Sequence, residues 1–202
     1  MGRSLRIIDR DVVYHAVTKG NNGGPIACDA TDRASVFHEL DRAATRYGWE
    51  VFAWCCLTTH NHVVLRAPHG GLSEGFREMN GNHSRRTGRR HGWSGHLIRN
   101  RFFSVAVESE AHFVGCALYV ARNPIAAGLC KRAEEWLAAS YRAIVGIDPA
   151  PAWLAVDAVL APFGKGPQAA RVEFARLVHR EHLPVSDTPR ESWRPEPPEI
   201  TI

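Results

Sequence analysis

Apolar and polar positions along this chain follow two different rhythms. Val36, Phe37, Leu40, Ala43, Ala44 and Tyr47 recur three and four apart, which is the spacing of one helix face. Asp29 or Thr31 can cap that helix, and Gly48 can end it. From Trp49 to Leu57 and from His60 to Ala67 the pattern becomes that of strands, joined by Thr58-Thr59 as a hairpin. An earlier strand covers Val12 to Thr18 and is broken by Gly20-Asn21-Asn22-Gly23-Gly24-Pro25. Phe76, Met79 and His83 predict a helix from Leu72 to about Arg90, weakened by Gly75 and Gly81. A further strand runs from Phe102 to Glu108, and Ser109 caps a helix buried through Phe113, Cys116, Ala117 and Val120. Pro124 disfavours helical geometry at Asn123, so that helix should end or bend there.

The order β-α-β-β-α-β-α predicts an α+β fold. Its expected architecture is a ferredoxin-like or RRM-like antiparallel sheet of four to five strands with helices packed on one face. Trp153 to Leu160 and Gln168 to His182 add C-terminal helices. The expected organisation is a catalytic domain over 1–146, a helical extension over 147–182 and a disordered tail over 183–202, where five prolines fall in twenty residues.

Alternation on the fourth of these elements is specific. His60, His62, Val64 and Arg66 share one face, while Asn61, Val63 and Leu65 share the other. The second set should meet the helices and the first should be the more open face. Two imidazoles side by side on a sheet suit a divalent metal, because neutral imidazole is a common ligand.

Charge adds a polyanion to the picture. The formal net charge is only +4, but Arg77, Arg85, Arg86, Arg89, Arg90, Arg99 and Arg101 are crowded together. Glu78 is the only acid between Arg77 and Arg101. Trp93, Phe102 and Phe103 lie nearby, and arginine grips phosphates while aromatics stack on bases. Nucleic acid is therefore the expected partner. The five cysteines, Cys28, Cys55, Cys56, Cys116 and Cys130, form no C-x-x-C pair and read as reduced, mostly buried side chains. No apolar run reaches the ~20 residues of a membrane helix. The first residues lack a signal-peptide core, so no membrane and a cytoplasmic location are expected.

Five ordered segments resemble the single-tyrosine HUH transposases, and within them the REP-associated tyrosine transposase branch. They are Tyr14-His15-Ala16-Val17-Thr18-Lys19-Gly20-Asn21-Asn22, the stretch Ala53 to Leu65, Gly95-His96-Leu97 with Arg101-Phe102, the stretch Tyr119 to Leu129, and Ala139-Ser140-Tyr141-Arg142. The resemblance implies cleavage and joining of single-stranded DNA. Tyr119 would be the nucleophile and would form a 5′-phosphotyrosine. His60 and His62, with Asn123 as third ligand, would hold Mg²⁺ or Mn²⁺. Tyr119 and Asn123 are four apart and so share a helix face. The substrate implied is single-stranded or hairpin DNA of the REP type. Candidate DNA contacts are Arg66, Arg77, Arg85, Arg86, Arg89, Arg90, Arg99 and Arg101, with Asn21 and Asn22 in the glycine-rich loop. Relatives include monomers and dimers that exchange the tyrosine helix, so either state is compatible.

Two positions depart from the family pattern. Asn61 stands where a large apolar residue is usual between the histidines, and Thr58-Thr59 precedes His60 where a turn-former followed by Asn is common. Two other classes of function also fit parts of the sequence. One is a non-catalytic binder of hairpin DNA or RNA on an RRM-like sheet. The other is a zinc-supported structural protein using His60, His62 and a cysteine such as Cys55 across the hairpin.

Overall fold

The computed structural model describes residues 9–180; the expectation of a tail over 183–202 lies outside them. Four antiparallel strands form one sheet: β1 (Tyr14–Lys19), β2 (Glu50–Cys56), β3 (His60–Arg66) and β4 (Phe103–Ala106), in the order β2-β3-β1-β4. Helix α1 (Ala30–Tyr47) links β1 to β2, and α2 (Leu72–His91) links β3 to β4. Helix α3 (Glu110–Ala126) follows, with α4 (Tyr141–Ile144), α5 (Val156–Leu160) and α6 (Pro167–Val178) after it. The α+β class and the antiparallel sheet are as expected.

Local chemistry sets the boundaries. Asp29 is the cap of α1 and accepts from Asp32 N–H at 3.0 Å. Gly48 ends that helix at φ 62°, a conformation that favours glycine. Ser109 caps α3, accepting from His112 N–H at 3.1 Å. Pro124 does not stop α3, which continues to Ala126. Burial of Val120, Ala121, Asn123 and Pro124 holds the last turn in place, and packing there outweighs the local preference. After β1 the chain makes a short 3-10 turn over Asn21–Gly23. A Cβ on Gly20 would stand 1.8 Å from the Gly24 carbonyl oxygen, so this loop closes only around glycine.

Register decides which side chains meet. Tyr14 pairs with Leu65, Val17 with His62 and Lys19 with His60, while Cys55 pairs with His62 and Trp54 with Val63. One face therefore carries His15, Val17, Lys19, Ala53, Cys55, His60, His62 and Val64. The other carries Ala16, Thr18, Trp54, Asn61, Val63 and Leu65. Helices α1 and α2 cover this second face: Trp54 meets Phe37 of α1 with ring centroids 5.4 Å apart, and Thr18 Oγ1 lies 3.3 Å from Asn80 Oδ1 of α2.

Helices do not confine themselves to that side. Helix α3 lies across the histidine face, which corrects the one-sided arrangement and the open face expected from β3 alone. Val17, Ala53, Cys55 and Val64 are buried there, too much apolar surface to leave to water. The free edge of β2 is also covered. Cys56 N–H donates to Ala138 O at 2.9 Å and Val51 N–H to Trp153 O at 2.9 Å, which satisfies backbone groups an edge strand would otherwise expose. Trp153, Leu154, Val159, Leu160, Phe174 and Val178 bury themselves in the same hydrophobic cluster as the strands.

Candidate active site on the histidine face

Three imidazoles and a phenol converge where α3 crosses the sheet. The rings of His60 and His62 are perpendicular with centroids 4.8 Å apart. The Tyr119 ring stands edge-on to His62 at 5.4 Å and to His15 at 6.0 Å. His15 Nε2 and His62 Nδ1 are 2.9 Å apart, and His60 Nδ1 lies 3.0 Å from Thr59 Oγ1. The Asn123 side chain hydrogen-bonds His60. The structure thus brings together all four residues expected at the centre: Tyr119, His60, His62 and Asn123.

Burial controls the charge of the cluster. It pushes His15 down to about 4, helped by the neighbouring charge of His112. It pushes His60 down to about 4 as well; Lys19 adds to the effect and the Asn123 hydrogen bond opposes it. His62 is held well below the ordinary histidine value by burial first, then by His15, His60 and Lys19. All three rings are therefore neutral at pH 7, the form that binds a metal ion. Cys55 lies opposite His62 across the hairpin, but burial raises its thiol well above the usual range, so it stays protonated.

The Nδ1 atoms are already engaged. His62 Nδ1–H donating to His15 Nε2 and His60 Nδ1–H donating to Thr59 Oγ1 would turn both Nε2 atoms toward a shared cation. Asn123 adds an oxygen donor. This donor set, two imidazoles and an amide oxygen with no thiolate, fits a divalent metal ion.

Three side chains beside this centre escape sequence reasoning. His15 is buried on β1, two strand positions from the pairing partner of His62. Lys19 pairs with His60, and Arg99 N–H donates to Lys19 O at 3.0 Å, which brings a second cation close. Burial and the Arg99 charge lower the Lys19 ammonium. His112 enters from the first turn of α3. The same alternation that revealed His60 and His62 would place His15 and Lys19 on one face, but only inter-strand register shows that the faces coincide.

The outlying candidates divide into two groups. Arg77, Arg85, Arg86 and Arg89 are exposed along α2, and Arg99 and Arg101 are exposed before β4. Asn22 is exposed at φ 51°, and Asn21 N–H is fixed on Leu97 O at 2.9 Å. Arg66 instead grips Glu50 through two hydrogen bonds of 3.0 and 2.6 Å. Arg90 reaches back to α1, with Asp29 at 2.6 Å and Asp32 at 2.8 Å. Asn61 is buried at 1% exposure with neither side-chain polar atom hydrogen-bonded. It faces the α1–α2 layer, away from the imidazoles. No helix among the described residues is long and apolar enough to cross a membrane.

Neither a protein-family model nor a curated protein matches this chain. Among solved structures, a REP-associated tyrosine transposase bound to a REP hairpin is similar to it, with a TM-score of 0.61 at 18% sequence identity. The similarity covers 75% of this chain and 89% of that one. At this identity the likeness is one of fold, and the fold is the one the five ordered segments imply.

Proposed function

We propose that this chain is a DNA strand transferase that cuts and rejoins a single strand beside a hairpin, with Tyr119 as its nucleophile. The observation that carries the reading is the seat of the Tyr119 ring against His62 and His15, on a fold like that of a transposase bound to a REP hairpin. In the cleavage step the phenol oxygen bonds to a backbone phosphorus and loses its proton. The O3′ of the preceding nucleotide leaves and takes up a proton. A 5′-phosphotyrosine and a free 3′ hydroxyl result, and the phosphodiester energy is kept in the tyrosine ester, so the reverse attack rejoins a strand without ATP.

A phenol ionises near pH 10 in water, so it requires help at neutral pH. His60, His62 and Asn123 would hold Mg²⁺ or Mn²⁺, which when bound supplies positive charge to the phosphoryl oxygens. His15 fixes the tautomer and tilt of His62. Lys19 and Arg99, beside His60, attract and orient the phosphodiester. Helix α3 and the sheet keep bulk water from the buried imidazoles. Exposed Arg77, Arg85, Arg86 and Arg89 would grip hairpin phosphates along α2, with Arg101, Asn21 and Asn22 nearer the strand to be cut. Arg66 and Arg90 are tied to carboxylates and contribute less.

The catalytic unit comprises residues 1–146, and the later segment braces the edge of β2 through Trp153. Since phenol and imidazoles come from one chain, the arrangement supports a site complete in a monomer. Incubation with hairpin-bearing single strands and Mn²⁺ tests the proposal on a denaturing gel. Wild type should give a DNA-linked species and Tyr119→Phe should not. A non-catalytic hairpin binder would instead give no adduct and would bind equally well in chelator.

A further inference from the structure

A second group of metal-type ligands lies away from the histidine face, where the first turn of α1 meets the last turn of α2. One ligand atom each from Cys28, Asp32 and His91 lies within 4.8 Å of the others. These residues are far apart in sequence and of three chemical types, and the fold alone brings them together. Cys28 is exposed, Asp32 is buried and His91 is half-buried.

The carboxylate is oriented for the purpose. Asp32 Oδ1 accepts from Arg90 at 2.8 Å, while Oδ2 lies 2.9 Å from Cys28 N and 2.8 Å from His91 Nε2. Arg90 also holds Asp29 Oδ2 at 2.6 Å and lies 3.0 Å from His91 Nε2. The guanidinium therefore fixes one oxygen of Asp32, while the other faces the Cys28 backbone N–H and the His91 imidazole, with the thiol within 4.8 Å. Burial alone would raise the Asp32 carboxyl, but the hydrogen bonds from Cys28, His91 and Arg90 outweigh it and hold the group below its usual range. A dication, a thiolate, two carboxylates and Arg90 sum to zero charge, so the cluster can take an ion without a net charge left over.

We propose that Cys28 Sγ, Asp32 Oδ2 and His91 Nε2 form a site for Zn²⁺ or a like borderline-soft ion, with water in the solvent-facing fourth position. Sulfur, nitrogen and oxygen donors together suit zinc and discriminate against Mg²⁺. On binding, the Cys28 thiol releases its proton to solvent as the S–metal bond forms, and His91 carries its proton on Nδ1. The ion would bolt α1 to the end of the arginine-bearing helix α2. It would also fix Trp93, whose ring stacks on His91 with centroids 4.6 Å apart. This site is independent of the reading given for Tyr119.

The test adds Co²⁺ to the metal-free full chain and follows thiolate-to-cobalt charge-transfer absorption. One equivalent should produce the band, and it should persist in His62→Ala, since that residue belongs to the other site. Cys28→Ser should abolish it and His91→Gln should weaken it, with circular dichroism checking that both variants fold. Zn²⁺ at about ten times its dissociation constant should slow alkylation of Cys28 roughly tenfold. Absence of the band in wild type, its survival in Cys28→Ser, or alkylation indifferent to Zn²⁺ would each overturn the proposal.

Discussion

The arginines of α2 allow a sharp test, because the structure separates them by what they already hold. Arg85, Arg86 and Arg89 are exposed, while Arg90 is engaged by Asp29 and Asp32. Each phosphate left without its arginine should reduce the slope of log affinity against log salt by about 0.9 on duplex DNA. Replacing Arg85, Arg86 and Arg89 together by alanine should therefore flatten the slope by about 2.7 on a hairpin stem. Between 50 and 200 mM salt that difference compounds to roughly 40-fold. The variant's deficit against wild type should thus shrink by this factor as salt rises. Arg90→Ala should leave the slope nearly unchanged and instead lower the melting temperature, because Asp32 is buried and would be deprived of a charged partner. Fluorescence anisotropy with a labelled hairpin at four or five salt concentrations measures both slopes. An unaltered slope in the triple variant, or an equal fall in Arg90→Ala, would show that Arg85, Arg86 and Arg89 are not the phosphate contacts.

Two further outcomes are expected. His15→Phe should weaken Mn²⁺ binding about 10- to 100-fold by removing the acceptor that orients His62, as read by calorimetry or by the resonance of free Mn²⁺; an unchanged affinity would remove His15 from the site. Acid should destabilise the fold well before carboxylates titrate. His15 and His60 are pushed down to about 4 in the folded chain, against about 6.5 when unfolded, so the unfolded state binds protons first as pH falls. Stability is fully present above pH 6.5 and declines toward pH 4, by roughly 2–3 kcal/mol for each histidine at pH 4.5. Urea midpoints at pH 7 and pH 4.5 check it, and equal midpoints would contradict the buried neutral imidazoles.

Much of this was legible from residue order alone. Asp29, Gly48 and Ser109 mark helix ends through backbone chemistry that is local, and α1 and α3 begin or end on them as the sequence predicts. Period-two alternation likewise places His60 and His62 on one side of β3. Pro124 shows the limit of local rules, because tertiary burial carries α3 past it. His15 and Lys19 escaped for a different reason: their membership of the site depends on how β1 registers against β3, which neither strand encodes by itself. The location of α3 on the histidine face follows from the buried Val17, Ala53, Cys55 and Val64, whose combined surface is visible only once three strands are aligned. Arg66 on the histidine strand and Arg90 in the basic stretch look like free cations, yet their acidic partners Glu50, Asp29 and Asp32 come from distant segments.

In the proposed reaction one particular phenol attacks DNA. The chain has four tyrosines, Tyr14, Tyr47, Tyr119 and Tyr141, and mass spectrometry of the proteolysed protein–DNA adduct identifies which one carries nucleotide. A nucleotide-linked peptide containing Tyr119 and no other is expected. A linkage at any other residue, or no linkage from folded protein bound to hairpin DNA with Mn²⁺ present, would contradict it.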